Sequence, residues 1–484
     1  MNSTVEIPLW VLVLVLGFAA IAALDRVLVP SVRWFFRRRM ERAVAELNKR
    51  LERPIQPFKL MRRQDMIVRL IYDPHVMEAV VDYAHEEGVP ESVAFQQARS
   101  YAREIVPSFS ASTYFGFAIR IARALSRALY MVRLGQYDAA AIRAIDRKAT
   151  IVFVMNHRSN MDYVLVTWLA AERSALSYAV GEWGRVWPLQ GLIRAMGAYF
   201  IRRRYLNPLY RRVLARYVQM ATQEGVTQAL FPEGRLSLDG RVGPAKMGLL
   251  HYIVGEIDPE KGRDVVFLPV ALNYDRVLED RVLLAAGESG QRRFRVRFST
   301  LAGFVLRHVW QRLRGRYRRF GYAAVSFGAP LSLTEFRTQN PEAGIDALAD
   351  VLMARIREAV PVLPVPLVAA VLLRADTPLS ESEIMERATP WVDSLRAHGY
   401  HVHMPGGDAG RAVGEGIAAL TLRGILVAEE GRLRAGEGQE AALAFYANSI
   451  MHILDADAER RSAASEAIPA TPARLRRPGE GVET

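Results

Sequence analysis

The stretch Ile151–Val166, IVFVMNHRSNMDYVLV, constrains the fold more than any other part of the chain. Ile151–Met155 is a short apolar run, β-branched and aromatic, that reads as a buried strand. It breaks at Asn156, and after a polar turn a second apolar run, Tyr163–Ala171, reads as a helix. A polar turn between a buried strand and a helix is where α/β folds present reactive groups. This turn holds His157 and Asp162. A neutral imidazole can take a proton from a hydroxyl, and a carboxylate on its far nitrogen fixes the tautomer and stabilises the imidazolium. Their separation corresponds to about 140° around an ideal helix. The pair therefore meets only if His157 lies in the turn and Asp162 in the first helical turn. Ser159-x-x-Asp162 also fits a capping box, in which the carboxylate satisfies backbone N–H groups. The two roles are compatible.

At 484 residues the chain has room for two or three domains. It has no cysteine, which excludes disulfides, a thiolate nucleophile and a Cys-bound metal. A formal charge of +13, carried more by Arg than Lys, points to an anionic partner: a membrane surface, a phosphorylated substrate or nucleic acid. Ile7–Leu24 is an unbroken apolar run of 18 residues, expected to span a bilayer. Arg26, Arg33, Arg37, Arg38, Arg39 and Arg42 follow it, so the positive-inside rule puts the downstream chain on the cytoplasmic side of the plasma (bacterial inner) membrane. A helix lying on the membrane, or against the protein, is the other reading.

The expected organisation is α/β. An N-terminal transmembrane anchor with its basic flank (1–40) leads to a helical subdomain (41–148), which includes a helix over Tyr114–Leu134 bearing Arg120, Arg123, Arg127 and Arg133. From 149 to 360 strands and helices alternate, predicting a mixed sheet flanked by helices. PVLPVPL, Pro361–Leu367, reads as a linker or the start of a new layer. A helical, winged-helix-like domain (361–455) follows, then a disordered tail (456–484) rich in Ala, Arg, Pro and Glu. His398, His401 and His403 cluster near Asp408 with imperfect ligand spacing, so no metal site is assigned. Basic and aromatic residues mix over Leu306–Arg319, which reads as a patch for anionic lipid rather than nucleic acid.

Four blocks carry a resemblance. NHRSNMD resembles the H-x4-D signature of the glycerolipid acyltransferases, and HRS-x-MDY their glycerol-3-phosphate branch of bacterial type. GAYFIRR, Gly197–Arg203, resembles the family's G-x-x-F-I-R-R and would put Arg202 and Arg203 at the mouth of a strand, where guanidinium forks can hold phosphate. FPEGRLSLDG, Phe231–Gly240, resembles F-x-E-G-x-R-S-R-x-G and matches at Glu233, Gly234 and Ser237. It departs from that pattern at Leu236 and Leu238, which replace arginines and leave phosphate binding to Arg235, Arg241 or Lys246. A turn with a C-capping glycine is the structural alternative for Glu233 and Gly234. VVFLPVALNYD, Val265–Asp275, resembles the φ-P-V block, with Pro269 expected at an edge or strand end.

The resemblance implies an enzyme that moves a fatty acyl group from an acyl thioester to the sn-1 hydroxyl of glycerol 3-phosphate. His157 is then the general base and Asp162 its orienter. Arg202, Arg203, Arg235 and Lys246 hold the phosphate, and Glu233, Gly234 and Ser237 form a substrate-binding loop. Acyl-CoA or acyl carrier protein is the co-substrate, no cofactor is needed, and anionic membrane lipids are the remaining partner. Backbone N–H groups near the helix start are the expected oxyanion donors. Lysophosphatidate or dihydroxyacetone phosphate as acceptor, or a non-catalytic basic module binding membrane or nucleic acid, are the alternatives.

Overall fold

The computed structural model describes residues 8–24, 29–171, 174–181, 184–185, 189–202, 206–255, 262–289 and 319–466. Arg26, Arg203 and most of the basic patch over Leu306–Arg319 lie outside these residues. An eight-stranded mixed sheet organises the described chain: β1 (Met131–Leu134), β2 (Thr150–Met155), β3 (Ser177–Val180), β4 (Tyr199–Phe200), β5 (Gln228–Leu230), β6 (Val265–Tyr274), β7 (Tyr322–Phe327) and β8 (Leu331–Ser332). The order across it is β1-β7-β6-β2-β5-β3-β4, with β8 also pairing to β6.

Every residue of β2 and β6 is buried. Strands covered by helices on both faces need continuous rather than alternating apolarity, and TIVFVM and VVFLPVALNY supply it. β2 runs parallel to both neighbours, with Val154 opposite Leu230 of β5 and opposite Pro269 of β6. The chain leaving β2, β5 and β6 therefore emerges at one end of the sheet. The His157 turn, the Phe231–Gly240 loop and the Asp275–Asp280 segment come together there. β3 and β4 are also parallel to this set. The end of β4, which carries Arg202, is three strand positions from β2, or about 14 Å across the sheet.

Pro269 is not at an edge, because β6 is central. On its far side β6 pairs with β8 at Val266 and Phe267, and with β7 from Val270 onward. Pro269 sits in the gap between them, where its missing N–H removes no ladder bond, and its carbonyl accepts from Gly328 N–H at 2.9 Å. The helix expected over Tyr114–Leu134 is also shorter. A π-helical turn, Ser112–Ala118, and a helix, Ile119–Leu129, end at extended Tyr130, and Met131–Leu134 becomes β1, parallel to β7. The sheet thus begins inside the region read as helical.

The first helix, Leu9–Ala23, buries none of its residues, and Trp10 and Phe18 are about two-thirds exposed. Its 15 residues extend roughly 22 Å, short of a ~30 Å bilayer core. No helix among the described residues is long and apolar enough to cross a membrane, so the spanning helix expected over Ile7–Leu24 is not found. Pro8 caps this helix, and residues 1–7 and 25–28 fall outside the described set.

Beyond the sheet, Pro364–Leu373 is a helix with nine of its residues buried, so PVLPVPL opens a new layer instead of linking. It packs on helices Ala409–Leu422 and Glu440–Glu466, beside an antiparallel hairpin of β9 (Leu426–Glu429) and β10 (Arg432–Ala435). The last helix continues through residues 456–466, which composition assigns to a disordered tail. Asp457 explains part of this: it is buried and accepts from Ser394 Oγ at 2.9 Å and His398 Nδ1 at 2.8 Å.

Candidate active site

His157 leaves β2 in the turn and Asp162 enters the helix Met161–Leu169 in its first turn. His157 Nδ1 donates to Asp162 Oδ2 at 2.9 Å. The same oxygen accepts the N–H groups of Arg158 (2.8 Å) and Ser159 (3.0 Å), so the carboxylate both orients the imidazole and caps the turn. Its other oxygen accepts the Tyr274 hydroxyl, from the end of β6, at 2.6 Å. Burial and the adjacent carboxylate push the Tyr274 hydroxyl well up, so it stays a donor. Nε2 of His157 has no hydrogen-bond partner among the described residues. That leaves it available to an external hydroxyl.

The imidazole is fixed on its remaining sides. It stacks on Phe231 with centroids 3.9 Å apart and meets Tyr163 edge-on. The His157 N–H donates to Glu233 Oε1 at 2.9 Å, while Glu233 Oε2 accepts Gly243 N–H at 2.9 Å. Ser237 N–H donates to the His157 carbonyl at 3.0 Å. Glu233 thus ties the two loops together through its carboxylate, and Gly234, at φ +68°, makes the turn that aims it. Ser237 Oγ accepts Gly240 N–H and donates to the Arg241 carbonyl, closing the loop on itself.

On the opposite side Glu279 accepts from Ser159 Oγ at 2.7 Å and from Asn160 N–H and Nδ2 at 3.2 and 3.1 Å. Asn156 bridges β2 to β6, donating to the Leu272 carbonyl and accepting its N–H. These bonds correct one expectation. The N–H groups of His157, Arg158, Ser159 and Asn160 go to carboxylates, Met161 N–H goes to Ser159 Oγ and Asp162 N–H to the Ser159 carbonyl. No N–H from His157 to Asp162 is therefore free for an oxyanion. The buried Arg158 guanidinium, which donates to the Gly240 carbonyl and lies over the Phe445 ring, does keep Nε and Nη2 without a hydrogen-bond partner among the described residues.

The expected phosphate ligands are not gathered in one place. Arg202 is paired to Glu104 of the helix Glu91–Ile105 by Nε–Oε1 and Nη2–Oε2 bonds of 2.8 and 2.6 Å, a carboxylate shared with Arg185. Arg235 and Lys246 are exposed and, with Arg241, line a groove of about 590 Å³ whose walls include Glu233, Leu236, Leu238, Leu284 and Phe445. The histidine cluster does not converge: His398 is held by Asp457, and no group of three potential ligands is arranged for a metal among the described residues. Tyr274, Glu279 and Glu104 were not singled out from the sequence. A tyrosine ending a wholly buried strand needs a partner for its hydroxyl, and that signal was legible.

Burial pushes the Glu233 carboxyl up to about 7, against the two backbone N–H bonds that lower it. A carboxyl that binds its proton more tightly when folded contributes stability at low pH. That contribution is lost as pH rises from about 4.5 to about 7, and is on the order of 3 kcal/mol. Over that range the wild-type melting temperature is expected to fall relative to that of Glu233→Gln. Parallel pH profiles would show that the carboxyl has no such shift.

Residues 139–273, which include β2 to β5, most of β6 and the His157 turn, match the family model described as Acyltransferase. Residues 307–459 match the model described as glycerol-3-phosphate acyltransferase C-terminal region. The chain is 27% identical over 416 residues to the glycerol-3-phosphate acyltransferase of Pseudomonas syringae pv. syringae, covering 81% of this chain and 48% of that one. It is 26% identical to that of Ectopseudomonas mendocina, covering 81% and 49%. The chain spans about half the length of the curated relatives it matches. Among solved structures, the 1-acyl-sn-glycerophosphate (LPA) acyltransferase of Thermotoga maritima aligns at 16% identity and TM-score 0.28, covering 60% of this chain and 96% of that one. That superposition is too weak to inform the fold.

Proposed function

We propose that the protein transfers a fatty acyl group from an acyl thioester, on coenzyme A or acyl carrier protein, to the 1-hydroxyl of glycerol 3-phosphate. The observation that carries this reading is the His157–Asp162 pair, with Nδ1 held at 2.9 Å and Nε2 left unpartnered. Nε2 takes the hydroxyl proton as the alkoxide oxygen attacks the thioester carbonyl. The C–S bond then breaks, and the imidazolium returns the proton to the departing thiolate. Asp162 stabilises the imidazolium, and no covalent enzyme intermediate or cofactor is required. The similarity to proteins named glycerol-3-phosphate acyltransferase supports the choice of acceptor.

Arg202 is already satisfied by Glu104 at the far side of the sheet. The phosphate therefore falls to Arg235 and Lys246 on the loop that adjoins His157. A charge-assisted contact to phosphate contributes about 1.5–3 kcal/mol when shielded from solvent. For this exposed rim the expected outcome is a roughly tenfold rise in KM for glycerol 3-phosphate in Arg235→Ala. KM for the acyl donor should stay near that of the wild type. An unaltered glycerol 3-phosphate KM would remove Arg235 from the site. Assays with lysophosphatidate and dihydroxyacetone phosphate under the same donor test the acceptor itself, and a higher kcat/KM for either would overturn the assignment.

The exposed apolar helix Leu9–Ala23, followed by exposed Arg38 and Arg39, supports a seat at the cytoplasmic face of the bacterial inner membrane. Recovery of the full chain wholly in the lipid-free fraction after vesicle flotation would refute that location.

A further inference from the structure

The helix Ile119–Leu129 and the π-helical turn before it present two different faces. Tyr114, Ala118, Ile119, Ala122, Ser126 and Leu129 are buried, which accounts for the inner face. Outward, Phe117 and Ile121 are 52% and 46% exposed, and Ala124 continues their line. Beside it runs a second exposed stripe, Arg120, Arg123 and Arg127, at helical spacing. Arg127 stands over Trp168 at 5.4 Å, while Arg120 and Arg123 make no hydrogen bond or ion pair among the described residues. A line of exposed apolar side chains edged by unneutralised guanidinium groups is the pattern of a helix that lies at a membrane interface.

We propose that this face docks on an anionic lipid bilayer, with Phe117 and Ile121 entering the headgroup–acyl boundary and the three arginines meeting lipid phosphates. Two further observations favour a bilayer over a protein partner. The apolar residues form a narrow line edged by repeated positive charge, which suits shallow insertion beneath anionic headgroups. The helix packed beside it, Val29–Arg50, also carries exposed apolar and basic residues. Ala111, Tyr114 and Ile119 share a buried cluster with Leu51 and Ile55, against which Val44 and Leu47 of the helix Val29–Arg50 pack. Further back on that helix Trp34 and Phe35 are exposed, and Arg38 lies over Trp34 at 4.9 Å. The proposed docking face thus lies on the body of the protein. It lies one helix from the chemistry, since Ile119–Leu129 packs directly on Met161–Leu169, whose first turn holds Asp162.

The inference is independent of acyl transfer, and its test uses no activity. The full chain is floated with phosphatidylcholine vesicles with and without phosphatidylglycerol. Arg120→Gln, Arg123→Gln and Arg127→Gln combined should lower partition onto phosphatidylglycerol vesicles about 100-fold, with partition onto phosphatidylcholine alone unchanged. These side chains are exposed, so the melting temperature should not move. Because the helix Leu9–Ala23 can hold the chain on vesicles by itself and mask the loss, a second measurement reads the face directly. The chain has no cysteine, so Ala124→Cys accepts a single environment-sensitive fluorophore, with Glu437→Cys on the C-terminal region as control. On phosphatidylglycerol vesicles the label at position 124 should shift to the blue and be quenched by brominated lipid, and the control should not. A label at 124 that stays in water while the chain is vesicle-bound would overturn the proposal. So would a label at 124 that responds to lipid no more than the control in the chain keeping all three arginines, while their removal changes self-association, which would mark a protein surface.

Discussion

His157→Ala should lower the rate of acyl transfer by about 10²–10⁴, the usual contribution of a positioned general base, while the protein remains folded. Among the described residues the ring makes one hydrogen bond, to Asp162, and otherwise packs on Phe231 and Tyr163. Asp162 keeps its Arg158, Ser159 and Tyr274 donors when the ring is removed. The deficit should therefore appear in kcat, with KM for both substrates and the melting temperature little changed. A variant that retained near-normal kcat in an assay with glycerol 3-phosphate and an acyl thioester would refute the proposed chemistry.

Asp162 should be the more damaging position for the protein as a whole, and its two natural replacements should separate chemistry from fold. Asp162→Asn can keep a carbonyl oxygen toward His157 Nδ1 and the two backbone N–H groups, with its NH2 donating to the Tyr274 hydroxyl. The fold should survive, but the charge that stabilises the imidazolium is gone, so a rate loss on the order of 10²–10⁴ is expected. Asp162→Ala leaves four buried donors without an acceptor. It should cost about 3–5 kcal/mol of stability, measured as a shift in the urea midpoint. Equal melting behaviour in the Asn and Ala variants would mean that the carboxylate does not hold the turn.

The local chemistry was legible because it is local. The apolar run Ile151–Met155 followed by Asn-His predicts a buried strand and a turn, and Ser159-x-x-Asp162 predicts a helix start. Those two facts alone bring His157 within reach of Asp162, and the alternatives of orienter and cap proved to be one arrangement, since a single oxygen does both. Pro269 and the first strand were misread because a residue's neighbours across a sheet are not encoded beside it. Pro269 is tolerated in a central strand only because β7 and β8 leave a gap opposite it, and Met131–Leu134 becomes a strand only because β7 offers an edge.

The same limit governs the residues expected to hold the phosphate. Arg202 and Arg235 are equally plausible phosphate ligands by residue type, yet strand order puts Arg235 on the loop after β5, next to β2, and Arg202 three positions away at β4. Glu104, from a helix that precedes the sheet, then neutralises Arg202. The role of Glu233 changed in a similar way: its backbone bonds to His157 and Gly243 make it a brace between loops. Periodicity and turn chemistry act over a few residues and can be read from order along the chain. Which charge finds which partner depends on long-range packing of the sheet, and no pattern along the chain records that.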